Sequence, residues 1–113
     1  MPKTQIQIHR KPMSVNEAWQ GRRYKSKAYK NYEKEVMLLL PNEYKIPETG
    51  DLAIRIEAGL SKKADLDNVC KPILDILEKM YGCNDKRFME ITLVKKIIKK
   101  GEGYFNFCIW GIA

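Results

Sequence analysis

An α/β or α+β layer sandwich, with helices packed on a mixed sheet, is the fold class this sequence predicts, and three observations carry it. Two stretches alternate apolar and polar residues with period 2 and two later ones read as strands around a glycine-containing loop, two others repeat apolar residues at helical spacing, and they follow one another in the order β-α-β-α-β-β. Thr4 to Ile8 alternates and reads as a short strand. His9 to Lys25 has no clear period, contains Pro12 and Gly21, and reads as a basic loop. Ser26 is suited to cap a helix from Lys27 to Leu40, because Tyr29, Tyr32, Val36 and Leu39 or Leu40 recur on one face and Pro41 stops further winding. Leu52, Ile54, Ile56, Ala58 and Leu60 then alternate with less apolar positions, the pattern of a half-buried strand. A second helix from about Asn68 to Met80 places Ile73, Ile76, Leu77 and Met80 on its buried side, with Pro72 expected in the first turn. Strands at about Phe88 to Ile98 and Tyr104 to Trp110 flank Lys99-Lys100-Gly101-Glu102-Gly103, which suits a hairpin loop.

At 113 residues with 44% apolar content, the chain is expected to be one domain with a modest core. Lys and Arg outnumber Asp and Glu by 21 to 14, giving +7, and residues 1–40 hold nine basic against three acidic side chains. Such a field favours a polyanionic partner, since neutralising phosphates releases their counterions. Cys70, Cys83 and Cys108 form neither an even set nor a Cys-x-x-Cys pair, which argues against a disulfide framework or a zinc site and for a cytoplasmic protein. The longest clearly apolar run, Val36 to Leu40, is too short for a membrane role.

The most informative segment is Lys63-Ala64-Asp65-Leu66-Asp67-Asn68-Val69-Cys70-Lys71, followed by Asp75 and Asp85. Two carboxylates stand at the mouth of a helix, a lysine just inside it, and a third carboxylate after its end. Mg²⁺ takes one or two carboxylates together with waters and substrate phosphate oxygens, and clustered aspartates repel one another without a cation. The plainer alternatives are that Asp67 or Asn68 caps the helix and that Asp65 answers its dipole, while Asp85 occupies an ordinary turn. A helix of this length is about 20 Å long, so Asp85 must return along it to reach Asp65. Lys71 reads either as the i, i+4 partner of Asp75 or as an ammonium that stabilises charge on phosphate, with Asp75 then an orienter. His9 is alone, so no histidine-based triad or two-histidine metal motif is available. Tyr24, Tyr29 and Tyr32 could stack on bases, although the last two suit the core face.

The string Asp65 to Leu77 with Asn84-Asp85 after it resembles the RusA-like Holliday junction resolvases, a family frequent in phages and prophages. Ser14-Val15-Asn16 and Gly21-Arg22-Arg23-Tyr24-Lys25, followed by a lysine-rich helix, are also similar to that family, so the resemblance covers nearly all of residues 1–113 as a single endonuclease domain. It implies a homodimeric, Mg²⁺-dependent endodeoxyribonuclease, with Mn²⁺ as a possible substitute, that nicks four-way DNA junctions symmetrically. By motif, Asp65, Asp67 and Asp85 are the expected metal-binding and catalytic carboxylates and Lys71 the catalytic lysine. Asn84 departs from the Asp-Asp of many relatives, while Asp85 occupies the functional second position. The expected DNA-binding residues are Arg10, Lys11, Arg22, Arg23, Lys25, Lys27 and Lys30. Two rival expectations are a non-catalytic DNA-binding or regulatory phage protein and a less selective nuclease of branched DNA.

Overall fold

The computed structural model describes residues 6–14, 19–20, 24–99 and 101–112, with residues 19–20 and 24–25 described through their backbone. The elements are β1 (Ile6–Ile8), β2 (Trp19–Gln20), β3 (Tyr24–Lys25), α1 (Lys27–Leu39), β4 (Asp51–Leu60), α2 (Asp67–Tyr81), β5 (Phe88–Ile97) and β6 (Tyr104–Ile112). They build an α+β fold whose mixed sheet has the order β1-β6-β4-β5. The short β2–β3 antiparallel ladder lies inside the segment expected to be a loop: its Trp19 and Gln20 pair with Lys25 and Tyr24.

Ser26 caps α1 as expected, its hydroxyl accepting from the Tyr29 N–H at 3.0 Å. Tyr29, Tyr32 and Val36 are buried, and of the two candidate leucines Leu40 enters the core while Leu39 stays exposed. β4 is an interior strand beside β6: Leu52, Ile54 and Ile56 join the main core, whereas Arg55 and Glu57 occupy the less covered positions. Ile73, Ile76 and Leu77 of α2 pack into the same core. Glu33 of α1 is buried on its inner side and accepts a hydrogen bond from Lys79 of α2 at 2.6 Å, tying the helices together. Lys79 thus serves a partner on another element instead of continuing the Lys71–Asp75 series along its own helix.

Two expectations are corrected. Pro72 lies at the sixth residue of α2, beyond the first turn, so the helix forgoes one interior hydrogen bond and burial of Pro72 offsets the loss. The segment after β5 makes no hairpin. β5 runs parallel to β4 on one side, and β6 runs antiparallel to β4 on the other. Residues 98–103 therefore cross over the carboxy-terminal end of β4. Apolar strands joined by a glycine-containing linker carry the same local signal whether they pair with each other or with a strand between them.

The crossing needs close packing. A side chain at Gly103 would bring its Cβ within 2.8 Å of the Lys11 backbone, so only glycine lets the linker lie against residues 9–14. At the opposite end Gly82, with φ +68°, stops α2 in the left-handed conformation, its N–H bonded to the Glu78 carbonyl at 2.8 Å.

Candidate active site

Where β4 hands over to α2, a cavity of about 730 Å³ opens. Its walls come from three directions: His9, Arg10 and Lys11 after β1, Lys63 and Asp65 from the β4–α2 connection with Asn68 from the first turn of α2, and Ile98, Gly101 and Gly103 from the crossing linker. The connection is held by Lys95 of β5, whose ammonium donates to the carbonyls of Lys62 and Ala64. A turn bond from the Ala64 N–H to the Ser61 carbonyl at 3.1 Å tightens it further. Asp65 is exposed to this cavity and accepts from the Asn68 side-chain amide at 3.3 Å.

Asp67 is exposed in the first turn of α2, where the helix dipole favours a negative charge. The capping alternative is not what the helix uses. Leu66 occupies the cap position, with no side-chain capping bond, so neither Asp67 nor Asn68 is consumed in that way. The Cys70 thiol reports the local field: burial holds it above its ordinary value and the Asp67 carboxylate adds to the effect, with Lys71 opposing.

Lys71 points along the helix and donates to Asp75 at 2.7 Å. That hydrogen bond is the main reason its ammonium titrates above the usual lysine value; partial burial works against it, and the carboxylates of Asp75, Asp85 and Glu78 reinforce it. Lys71 and Asp85 are thus within electrostatic reach of each other. Asp85 itself opens a short 3₁₀ turn, Asp85–Arg87, which Asn84 caps by accepting from the Lys86 N–H at 2.9 Å. An Asp at position 84 could accept the same bond, so Asn84 keeps the turn while leaving Asp85 free of capping duty.

Asp65 and Asp85 stand at opposite ends of the β4–α2–β5 unit. Phe88 pairs with Leu52 at the start of β4, and Arg87 donates to the carbonyls of Gly50 and Pro47 just before it, whereas Asp65 lies beyond Leu60. The eight residue steps from Leu52 to Leu60 span about 26 Å at 3.3 Å per residue. Among the described residues, no three His, Cys, Asp or Glu side chains of one chain form a metal-sized cluster. The oxygen donors suit a hard cation, but a single chain does not bring all three aspartates round one ion.

Of the expected DNA-binding residues, Arg10 and Lys11 line the cavity, and Arg10 is shared with Glu35 of α1 through a 3.1 Å ion pair. Lys27 and Lys30 are exposed on α1. Arg22, Arg23 and the side chain of Lys25 lie outside the described residues. The cavity gives a place to Lys63, which opens the informative segment but had no role of its own, and adds Ser61 and His9, the latter considered only as a member of a histidine triad or pair. For His9 no local pattern existed, since a crossing linker folded from the other end of the chain brings its wall to the cavity.

Among the described residues no helix is long and apolar enough to cross a membrane. A search among curated proteins finds no match to the chain. The family model described as endodeoxyribonuclease RusA matches residues 5–103. That span contains the cavity walls, both ends of the β4–α2–β5 unit and all four motif residues, and the chain accordingly belongs to the RusA family of endodeoxyribonucleases, enzymes that resolve Holliday junctions.

Proposed function

We propose that this protein resolves four-way DNA junctions by paired symmetric nicks, as a homodimer that depends on a divalent cation, Mg²⁺ by preference and Mn²⁺ as a substitute, in the cytoplasm of a bacterial or phage-infected cell. The observation that carries the reading is the cavity at the end of β4, where Asp65 faces Arg10, Lys11 and Lys63: an acid positioned for a cation inside walls positioned for phosphate. Asp65, Asp67 and Asp85 are the cation-holding carboxylates of this reading. A cation bound there supplies polarisation of the scissile phosphate and a lowered pKa for an attacking water.

The chain's own side chains do the rest. Arg10, Lys11 and Lys63 hold backbone phosphates, which positions DNA without reading its sequence. Asn68 orients the Asp65 carboxylate, and Lys95 holds the connection that carries it. Lys71, anchored by Asp75, lends positive charge to the Asp85 side of the site. Two sites related by a two-fold axis match a junction of similar symmetry.

Incubation of the protein with a labelled mobile four-way junction, with and without Mg²⁺ or Mn²⁺, tests this. Opposed nicks near the crossover and two religatable duplexes are expected. Tight binding without cleavage under either metal would leave a DNA-binding protein only, and equal cutting of flaps, duplex and junction would leave a general branched-DNA nuclease.

A further inference from the structure

We infer that Glu35 of α1 is a positioning residue for DNA cleavage: it holds Arg10 by the guanidinium Nε, so that the two terminal nitrogens are presented to a backbone phosphate in the cavity. The inference rests on the junction-nuclease reading above and names how one of its phosphate contacts is prepared.

Arg10, Lys11 and Lys63 are the Arg and Lys side chains that line the cavity. Among the described residues, Arg10 is the one of the three with a carboxylate partner: its Nε–H donates to Glu35 Oε2 at 3.1 Å. The two side chains are 51% and 55% exposed. An ion pair this open to water adds little to stability, so its effect falls on the conformation of Arg10 and not on the fold. Residues 1–40 carry three acids, Glu17, Glu33 and Glu35. Glu17 lies outside the described residues, and Glu33 turns inward to Lys79. Glu35 is the acid that meets a cation beside the cavity.

Both partners stand on anchored backbone. Ile8, two residues before Arg10, is buried in the core, and Gly103 of the crossing linker lies against the backbone of Lys11. Glu35 rides on α1 between the buried Tyr32 and Val36. The freedom left to Arg10 is that of its own long stem, and the bond to Glu35 restricts it. A guanidinium carries five N–H donors in one plane. With the Nε–H taken, four remain on the terminal nitrogens, a fork that matches two oxygens of a phosphate. Ordering the stem beforehand removes an entropic cost from the binding step.

The position matters for rate as well as affinity. Arg10 and Asp65 line the same cavity, so a phosphate held by the fork is kept in register with the acid. Small displacements of a reacting group lower the rate steeply. The Glu35 carboxylate also repels the phosphate, which opposes binding. A residue selected only to attract DNA would not carry that charge.

Single-turnover cleavage of a labelled four-way junction at saturating protein in Mg²⁺, read beside junction affinity in a mobility shift without Mg²⁺, tests the inference. Glu35→Ala should cleave bound junction about five-fold more slowly, with the thermal midpoint scarcely moved. Glu35→Gln, whose amide oxygen still accepts the Nε–H, should keep the rate within about two-fold and bind the junction more tightly. Because Glu35 acts through Arg10, the double variant Glu35→Ala/Arg10→Met should cleave no more slowly than Arg10→Met alone. Independent losses that multiply in the double variant would overturn the inference. So would a Glu35→Gln rate as low as that of Glu35→Ala, an undiminished Glu35→Ala rate, or a midpoint that falls together with the rate. A protein that binds the junction and cleaves nothing would count against the nuclease reading, and the same cycle read in affinity then decides: coupled changes support the positioning role, and additive ones overturn it.

Discussion

The two ends of the β4–α2–β5 unit are built on different principles. At the end where β4 gives way to α2, the connection is open and charged: Asp65, Asp67 and Lys63 are exposed, and the loop is held from outside by Lys95. At the other end the chain is fastened down, with Gly82 stopping the helix, Asn84 capping the next turn and Arg87 bonded to the carbonyls of Gly50 and Pro47. The open end can admit a phosphate. The fastened end presents one carboxylate, Asp85, in a fixed position. Asp65 and Asp85 are held apart by the length of β4 that lies between them.

The strongest way to break that comparison is to damage one end at a time. Asp65→Asn, Asp67→Asn and Asp85→Asn should each lower cation-dependent junction cleavage by about 100-fold or more, the scale of a lost electrostatic stabiliser, with junction binding retained in a mobility shift.

Lys71 lies between the ends, and Lys71→Met should slow cleavage of bound junction by about ten-fold. Its ion pair with Asp75 is solvent-exposed on the lysine side, so the thermal midpoint should scarcely move. Equal losses of rate and stability would assign Lys71 to the helix alone. At the open end, Lys11→Gln and Lys63→Gln should each flatten the plot of log affinity against log salt by about 0.9, whereas Lys86→Gln at the fastened end should leave the slope unchanged.

The smallest effect belongs to the scaffold near the fastened end. The Tyr44 hydroxyl accepts from the Ile109 N–H at 2.8 Å, and burial pushes its phenol up to about 12 from 10.0. Because the folded value is the higher one, this contribution to stability is complete below pH 10.0 and is lost as pH rises toward about 12. Tyr44→Phe should cost about 1 kcal/mol at neutral pH and make denaturation curves less steeply dependent on pH across that alkaline window.

Much of this was legible in sequence because the signals are local. Ser26 before a helical repeat, alternation from Leu52 to Leu60 and the Asp65 to Lys71 string each depend on neighbours within a few residues. What escaped the reading depends on strand order. The linker at residues 98–103 looks like a hairpin until β4 is placed between β5 and β6, and only that placement turns Ile98 and Gly103 into cavity walls and brings in His9. The buried Glu33 was hidden for a related reason: its partner, Lys79, is 46 residues away on another helix. The relation of Asp65 to Asp85 is likewise a matter of strand direction, and spacing along the chain carries no information about it.

The sheet order also governs when in synthesis the cavity can form. β1 pairs with β6, and β4 has β5 and β6 as its neighbours, so every described ladder of the main sheet waits for a strand that the ribosome makes later. Local helices can form early, but the non-local pairings that close the cavity come last. The lysines and aspartates of a nascent chain are then present without a site to work in. The walls of the cavity therefore come together only once β6 has taken its place beside β4.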